Sequence, residues 1–245
     1  MKDLFSSCSS LYQLARPTYP ESIVQEILSH VHSRQTVWDC GAGSGQFTQR
    51  LSPYFDKVVA TDLSAQQLEQ APYAENINYQ VQVAEKTNFP DQSFDLITVA
   101  QAIHWFNFED FYQEVRRTLK PNGIFAVIGY GLIIIDHAIV HAAVQSLYYQ
   151  TLKGYWDAER RYIDEGYATI PFPFYEIKTP KLQMEYQWSA SQLLDYFNTW
   201  SAIKHYRQQT GKDPLIELSE ILNQPAQIFT VQFPIFLRIG ALTKG

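Results

Sequence analysis

The chain is poor in everything that would staple it or anchor it. Two cysteines, Cys8 and Cys40, in 245 residues are too few for a disulfide framework. Cys40 falls inside a glycine-rich turn, where it serves as a small reduced side chain. No long apolar run occurs. The most apolar stretch, Val127 to Ile135, is interrupted by glycines and stopped by Asp136 and His137, too short to span a bilayer. The first residues are polar and serine-rich, unlike the basic start and apolar core of a secretory leader. These absences predict a cytoplasmic protein with no membrane partner. Basic charge is also scarce. Nineteen Lys and Arg against 25 Asp and Glu leave a net charge of −6, which argues against a nucleic-acid partner. His137 and His141 share one helix face but lack the carboxylate of an H-E-x-x-H site, so no metal is expected. Repeats and low-complexity tracts are missing too.

What is present suits one ample α/β domain over 1–245: 46% of residues are hydrophobic, enough for a full core. Thr18-x-x-Glu21 has the form of a capping box opening a helix over roughly 19–32. Strands are expected at about 35–39 and 57–62. Between them Phe47 and Leu51 seat a short helix that Pro53 stops. Ser64-x-x-Gln67 starts a further helix, closed by Pro72. Ile77 to Val83 alternates apolar and polar, as an edge strand would. Phe94 to Ala100 is almost wholly apolar and should be central. Asn107 caps a helix with the stripe Phe108, Phe111, Tyr112, Val115 and Leu119. Lys120-Pro121-Asn122-Gly123 is a turn leading into a strand over 124–130.

Beyond that strand the rhythm changes. A helix of about twenty residues is expected from Ile133, then an aromatic and proline-rich stretch from Gly154 to Pro180. Its aromatics suit a satellite core and a substrate contact equally well. Two late strands follow, Leu182 to Trp188 and Phe229 to Ile239, with helices of about 189–200 and 214–223 between them. Pro234 marks a bulge or an unpaired edge position.

Chemistry concentrates in Val37-Trp38-Asp39-Cys40-Gly41-Ala42-Gly43-Ser44-Gly45 and Val58-Val59-Ala60-Thr61-Asp62. This is strand, glycine turn, helix, strand and carboxylate, the order that holds an adenosine-containing cofactor at a parallel sheet's edge. A nicotinamide-binding turn wants its third glycine where Gln46 stands. Here the pattern is D-x-G-x-G-x-G, with Asp62 about twenty residues on. It resembles the first two motifs of class I S-adenosylmethionine-dependent methyltransferases.

More of the chain carries the same resemblance. Arg16-Pro17-x-Tyr19-Pro20, Ala84-Glu85, Phe89-Pro90-Asp91-x-Ser93-Phe94-Asp95, Ala100-Gln101-Ala102-Ile103-His104-Trp105-Phe106 and Arg116-Arg117-x-Leu119-Lys120-Pro121-x-Gly123 are similar to the type 11 methyltransferase domain, within it the trans-aconitate methyltransferase-like group. Thr199-Trp200-Ser201-Ala202 and Thr210-Gly211-Lys212-Asp213-Pro214 extend it; only 131–180 lacks an anchor. The resemblance implies a doubly wound, seven-stranded Rossmann-like sheet of order 3-2-1-4-5-7-6, with strand 7 antiparallel. It also implies S-adenosylmethionine as cofactor. Asp39, Gly41 and Gly43 would surround its amino-acid end. Asp62 would take the ribose hydroxyls, Leu63 the adenine face, and Ala84 with Glu85 the adenine edge. Gln101 would meet the methionine portion, while Tyr12 and Arg16 belong to a segment that closes over the cofactor.

The expected activity is methyl transfer to a small-molecule acceptor, with a carboxylic acid suggested by the group resembled. N-P-P-[YF] does not follow the fourth strand, which argues against methylation of adenine or of a glutamine amide. His104, after that strand, is the candidate catalytic residue, as a base or as an orienter of the acceptor. Segments 1–16 and 131–180 are expected to form a cap and a lid. A binding protein without turnover stays open as an alternative, and a nicotinamide-dependent oxidoreductase is the weaker rival. No feature specifies an oligomeric state.

Overall fold

The computed structural model describes residues 15–223 and 227–244. Tyr12 and most of the expected cap segment lie outside the described residues.

Five parallel strands form the heart of the sheet: β1 (Thr36–Cys40), β2 (Lys57–Asp62), β3 (Ile77–Val81), β4 (Phe94–Ala100) and β5 (Leu119–Tyr130). β1 and β4 are central and buried nearly throughout. β3 is the half-exposed edge that its alternation predicts. Successive strand residues point to opposite faces, and the packing follows. Val37, Val58, Leu96 and Ala126 join one core layer, while Trp38, Val59, Ile97 and Val127 join the other.

Helix α1 (Glu21–Leu28) supplies Ile23, Ile27 and Leu28 to the first layer, as do Phe47 and Leu51 of α2 (Gln46–Leu51). α3 (Ala65–Leu68) begins at Ser64, whose Oγ accepts the Gln67 N–H. α4 (Phe108–Thr118) starts where the Asn107 side chain accepts the Asp110 N–H, and it gives Phe111, Tyr112 and Val115 to the second layer. Lys120–Gly123 loops out between Leu119, which pairs with Phe94, and Ile124, which pairs with Leu96. The Lys120 ammonium secures this excursion on Asp95 at 2.8 Å.

The remaining strands are β6 (Ile134–Ile135), β7 (Tyr175–Ile177), β8 (Leu182–Ser189) and β9 (Ile228–Ala241). β9 runs antiparallel to β5, and β8 pairs with its far edge. β6 prolongs the line of β5 along β9, and β7 prolongs that of β8. The nine segments therefore occupy seven positions in the expected order, β3-β2-β1-β4-β5-β9-β8. Helix α5 (Ala138–Ser146) runs on as a π-helical turn through Thr151. α6 (Arg160–Asp164), α7 (Ala190–Asn198), α8 (Ser201–Thr210) and α9 (Ile216–Ile221) complete the layers.

Several local expectations are corrected. The capping box does not form: Pro20 is the N-cap without a side-chain bond, and Glu21 turns to Gln25 and Tyr54. The apolar run at Ile133 enters β6 before any helix, because Ile134 and Ile135 find partners on β9. Pro234 is not at an edge, since it pairs with Gln183 of β8, but it has no Cα partner on its other side, where the register changes by one residue. It sits in the interior of β9 where β5 gives way to β6, and its carbonyl accepts the Gly131 N–H. Trp200, in extended backbone, separates α7 from α8, which the sequence pattern does not reveal. The aromatic stretch divides its labour. Phe172 and Phe174 pack on Phe125 of the sheet, while Trp156 reaches the cleft described next.

Candidate active site

The C-terminal ends of β1, β2 and β4 open into one cleft. It is lined by residues 41–44, 62–64 and 100–102, and by Arg16, Tyr130, Trp156, Arg160 and Trp200. The turn after β1 is tied down by the Gly41 and Ala42 N–H groups, which both donate to the Thr61 carbonyl. Gly41 and Gly43 have φ of +70° and +55°, a region that side chains disfavour. A Cβ on Gly41 would stand 2.6 Å from Ala102 Cβ, and one on Gly43 would stand 2.8 Å from Gln67 Oε1. Only bare backbone fits this wall of the cleft.

Two carboxylates close that side. Asp39 is fully buried at the end of β1 and accepts hydroxyl protons from Thr48 at 2.6 Å and Thr98 at 2.9 Å. Burial raises its pKa to about 6, against the two hydroxyl donors that lower it. Asp62 ends β2 and accepts the Gly43 and Ser64 N–H groups, one on each oxygen, at 2.9 Å. Leu63 lines the cleft beside it.

Gln101, directly after β4, holds φ of +55°. Its side-chain amide accepts the Tyr130 N–H at 2.9 Å and donates to the Tyr130 carbonyl at 3.3 Å, extending the β4–β5 ladder by one side chain. Its amide is thus committed to the strand, and what it offers the cleft is a bent backbone, a conformation that gathers at functional sites. Arg16 donates to the Tyr130 hydroxyl at 3.1 Å and to the Thr199 carbonyl at 3.4 Å, with its guanidinium over the Tyr196 ring.

His104 lies in a short 3-10 turn, Ile103–Trp105, and is 5% exposed. Burial, with the Arg160 cation nearby, lowers its pKa to about 3, so the ring is neutral. Arg160 stacks over Trp156 at 4.9 Å and Tyr148 at 5.2 Å, and its Nε donates to the Tyr148 hydroxyl at 2.7 Å. Its two terminal amino groups have no acceptor among the described residues, and neither is sealed from the cleft.

The structure therefore brings together Arg16, Asp39, Gly41, Gly43, Asp62, Leu63, Gln101 and His104. It does not bring Ala84 or Glu85 into the cleft wall. Ala84 is buried in the second core layer, and Glu85 accepts the Asn107 N–H at 3.0 Å. Sequence reasoning missed Arg160, Trp156 and Trp200 as site residues, although Trp200 lay within a quoted motif and Trp156 within the aromatic stretch.

Comparison with known proteins gives the cleft a context. A family model described as a methyltransferase domain matches residues 38–127, the span holding the glycine turn and both carboxylates. A Dictyostelium discoideum protein named as a methyltransferase is 36% identical over 96% of this chain and 93% of its own length. A Saccharomyces cerevisiae protein named as an S-adenosylmethionine-dependent methyltransferase is 34% identical, over 48% of this chain and 44% of its own length. A solved structure from Anaeromyxobacter dehalogenans, described as a type II methyltransferase, is 36% identical with a TM-score of 0.85, covering 94% of this chain and 99% of that one. These last coverages carry the similarity through the 131–180 segment.

Proposed function

Because the chain belongs to the class I S-adenosylmethionine-dependent methyltransferases, we propose that it methylates a small-molecule acceptor, a carboxylic acid, held on the arginine side of the cleft. S-Adenosylmethionine is the cofactor, and the residues present suit it. The bare Gly41–Gly43 backbone leaves a cradle that a Cβ would fill. In this reading Asp39, Gly41 and Gly43 surround the amino-acid end, Asp62 takes the ribose hydroxyls and Leu63 covers the adenine. When bound, the cofactor supplies a sulfonium methyl that leaves in a single displacement, the acceptor's lone pair forming the new bond as the carbon–sulfur pair returns to sulfur. Orientation by the protein can supply up to roughly 7–11 kcal/mol of such a barrier in ideal cases.

The observation that carries the acceptor class is an arginine in the cleft wall whose terminal amino groups have no acceptor among the described residues. Asp39 and Asp62 stand at the strand ends. Arg160 lines the same cleft, stacked over the Trp156 and Tyr148 rings; its Nε is shared between the Tyr148 hydroxyl and, at 3.6 Å, the Asp164 carboxylate, while its terminal amino groups have no acceptor among the described residues. A partly buried guanidinium whose Nε alone is engaged keeps two amino groups for a carboxylate, which it can grip with two parallel hydrogen bonds. A carboxylate is already ionised at neutral pH and needs no base. Residues 156–163, on the inserted segment, serve in this reading as the lid whose closure excludes water.

The test is methyl transfer from labelled S-adenosylmethionine to a panel of small mono- and dicarboxylic acids, phenols and amines. The expected product is a base-labile methyl ester formed from acids alone. Label on a phenol or amine, with none on any acid, would overturn the acceptor class. Amide hydrogen exchange at 156–163 is expected to slow when S-adenosylhomocysteine binds; unchanged exchange would remove the lid.

A further inference from the structure

Tyr167 is held tightly beside His104. It is fully buried, yet its backbone holds φ of +60°, an outlier for a bulky residue. Three features keep it there. Its N–H donates to the Tyr162 carbonyl at 2.7 Å. Its own carbonyl accepts from Arg238. Its ring lies so close over Gly129 that a Cβ there would stand 2.4 Å from Tyr167 Cε2. All of this delivers one atom to one place: the phenol oxygen sits 2.8 Å from Nδ1 of His104.

The proton on that bond can be assigned by accounting. Burial pushes the Tyr167 phenol well above its ordinary range, so the O–H keeps its proton. A buried hydroxyl donor requires an acceptor. Among the described residues, Nδ1 of His104 is the one partner the Tyr167 hydroxyl has. The phenol therefore donates, Nδ1 accepts with its lone pair, and the proton of the neutral imidazole resides on Nε2. That second nitrogen has no protein partner among the described residues and is not buried away from the cleft that His104 lines.

We propose that Tyr167 is a positioning residue that locks His104 in the Nε2–H tautomer, so that His104 donates a hydrogen bond to the methyl acceptor and cannot act as its base. The proposal rests on the reading of this cleft as a methyl-transfer site. It deepens that reading, because His104 and Arg160 then offer the acceptor nothing but donors. Such a subsite selects an oxygen that arrives already ionised and rejects a hydroxyl or ammonium that must first lose a proton.

The experiment is long-range proton–nitrogen correlation NMR on protein labelled with ¹⁵N-histidine, without ligand, at neutral pH. Six histidines are present, and His104→Gln identifies the signal of interest by its loss. The wild type is expected to show His104 with a bare Nδ1 and a protonated Nε2. Tyr167→Phe, which removes only the donor, is expected to lose this single tautomer and to lower kcat for the acceptor about tenfold. Its affinity for S-adenosylhomocysteine should stay within twofold. A protonated Nδ1 in the wild type overturns the proposal, as does a tautomer unaltered in Tyr167→Phe. The spectra need no turnover, and the remaining five histidine signals, unchanged in His104→Gln, show that this variant is folded. A failure to find any methylated acid would thus remove the proposed acceptor without touching this result.

Discussion

The carboxylate of Asp62 bridges the backbone N–H groups of Gly43 and Ser64, at 2.9 Å each. One acid at the end of β2 thus fixes the glycine turn that follows β1, and in the proposed reading the same acid takes the ribose hydroxyls. Asp62→Ala removes both roles. Hydrogen bonds to charged groups contribute about 1.5–3 kcal/mol each, so affinity for S-adenosylhomocysteine should fall about 10- to 100-fold or more. Asp62→Asn, which keeps one acceptor oxygen, should fall between. Titration calorimetry decides the matter, and wild-type affinity in Asp62→Ala would exclude Asp62 from cofactor binding.

Gly41 is fixed by space as well as by φ. In Gly41→Ala the new methyl would press on Ala102 Cβ at 2.6 Å and on the Phe106 ring at 3.2 Å. Overpacking of this kind costs about 1–3 kcal/mol, and the left-handed backbone adds its own penalty. A lowered thermal midpoint and weakened cofactor binding are expected together. Adding Ala102→Gly should recover part of the stability, since it relieves the contact but leaves φ unchanged. No recovery would mean that the backbone, and not the contact, is limiting.

The sheet was legible because its signals are local. β1, β2 and β4 are short apolar runs, and the positive φ at Gly41 and Gly43 falls where the glycines are written. Asp39, Asp62, Leu63, Gln101 and His104, which the family resemblance and the strand ends single out, all line the one cleft. Errors arose where a distant partner decided. Ile134 and Ile135 pair with β9, about a hundred residues on, so an apolar run expected to be helix became strand. Glu85 accepts the Asn107 N–H, a contact that no local pattern announces. The Tyr167–His104 contact spans 63 positions and depends on an unusual φ and on the small size of Gly129. Arg160 lines the cleft with Tyr148 and Trp156 flanking its guanidinium. No spacing rule encodes either arrangement.

Asp39 should leave a mark on the pH dependence of stability. Its folded-state pKa of about 6 lies above the ordinary 3.8 because burial disfavours the charge. Between those values the folded state binds more protons than the unfolded state. Stability from this group therefore falls as pH rises from about 4 to 6 and is level above. The full effect is on the order of 3 kcal/mol at most. Asp39→Asn keeps an oxygen for one threonine hydroxyl and offers an amide to the other, yet cannot ionise. Urea unfolding at pH 4.5 and pH 7 should show a smaller loss in the variant than in the wild type. Equal losses would mean that Asp39 does not titrate in this window.

Arg160 supplies the last prediction, because it separates acceptor recognition from cofactor binding. Its Nε is shared by Tyr148 and Asp164 and its face by two rings, so in the proposed reading its terminal amino groups are what an acceptor would meet. Arg160→Met retains much of the apolar stem but removes the charge. For a buried charge pair such a loss costs about 2–5 kcal/mol, so kcat/KM for a carboxylate acceptor should fall at least 30-fold, while S-adenosylhomocysteine affinity changes little. Arg160→Lys should not restore it, since an ammonium can neither grip a carboxylate with a planar fork nor lie flat between Tyr148 and Trp156. The same substitution by methionine removes a cation that disfavours protonation of His104, so the His104 pKa should rise from about 3 while burial still holds it below the ordinary 6.5. Histidine NMR across pH reads that shift directly. Full acceptor activity in Arg160→Met would take the arginine out of the acceptor site, and with it the charge argument for a carboxylic acid.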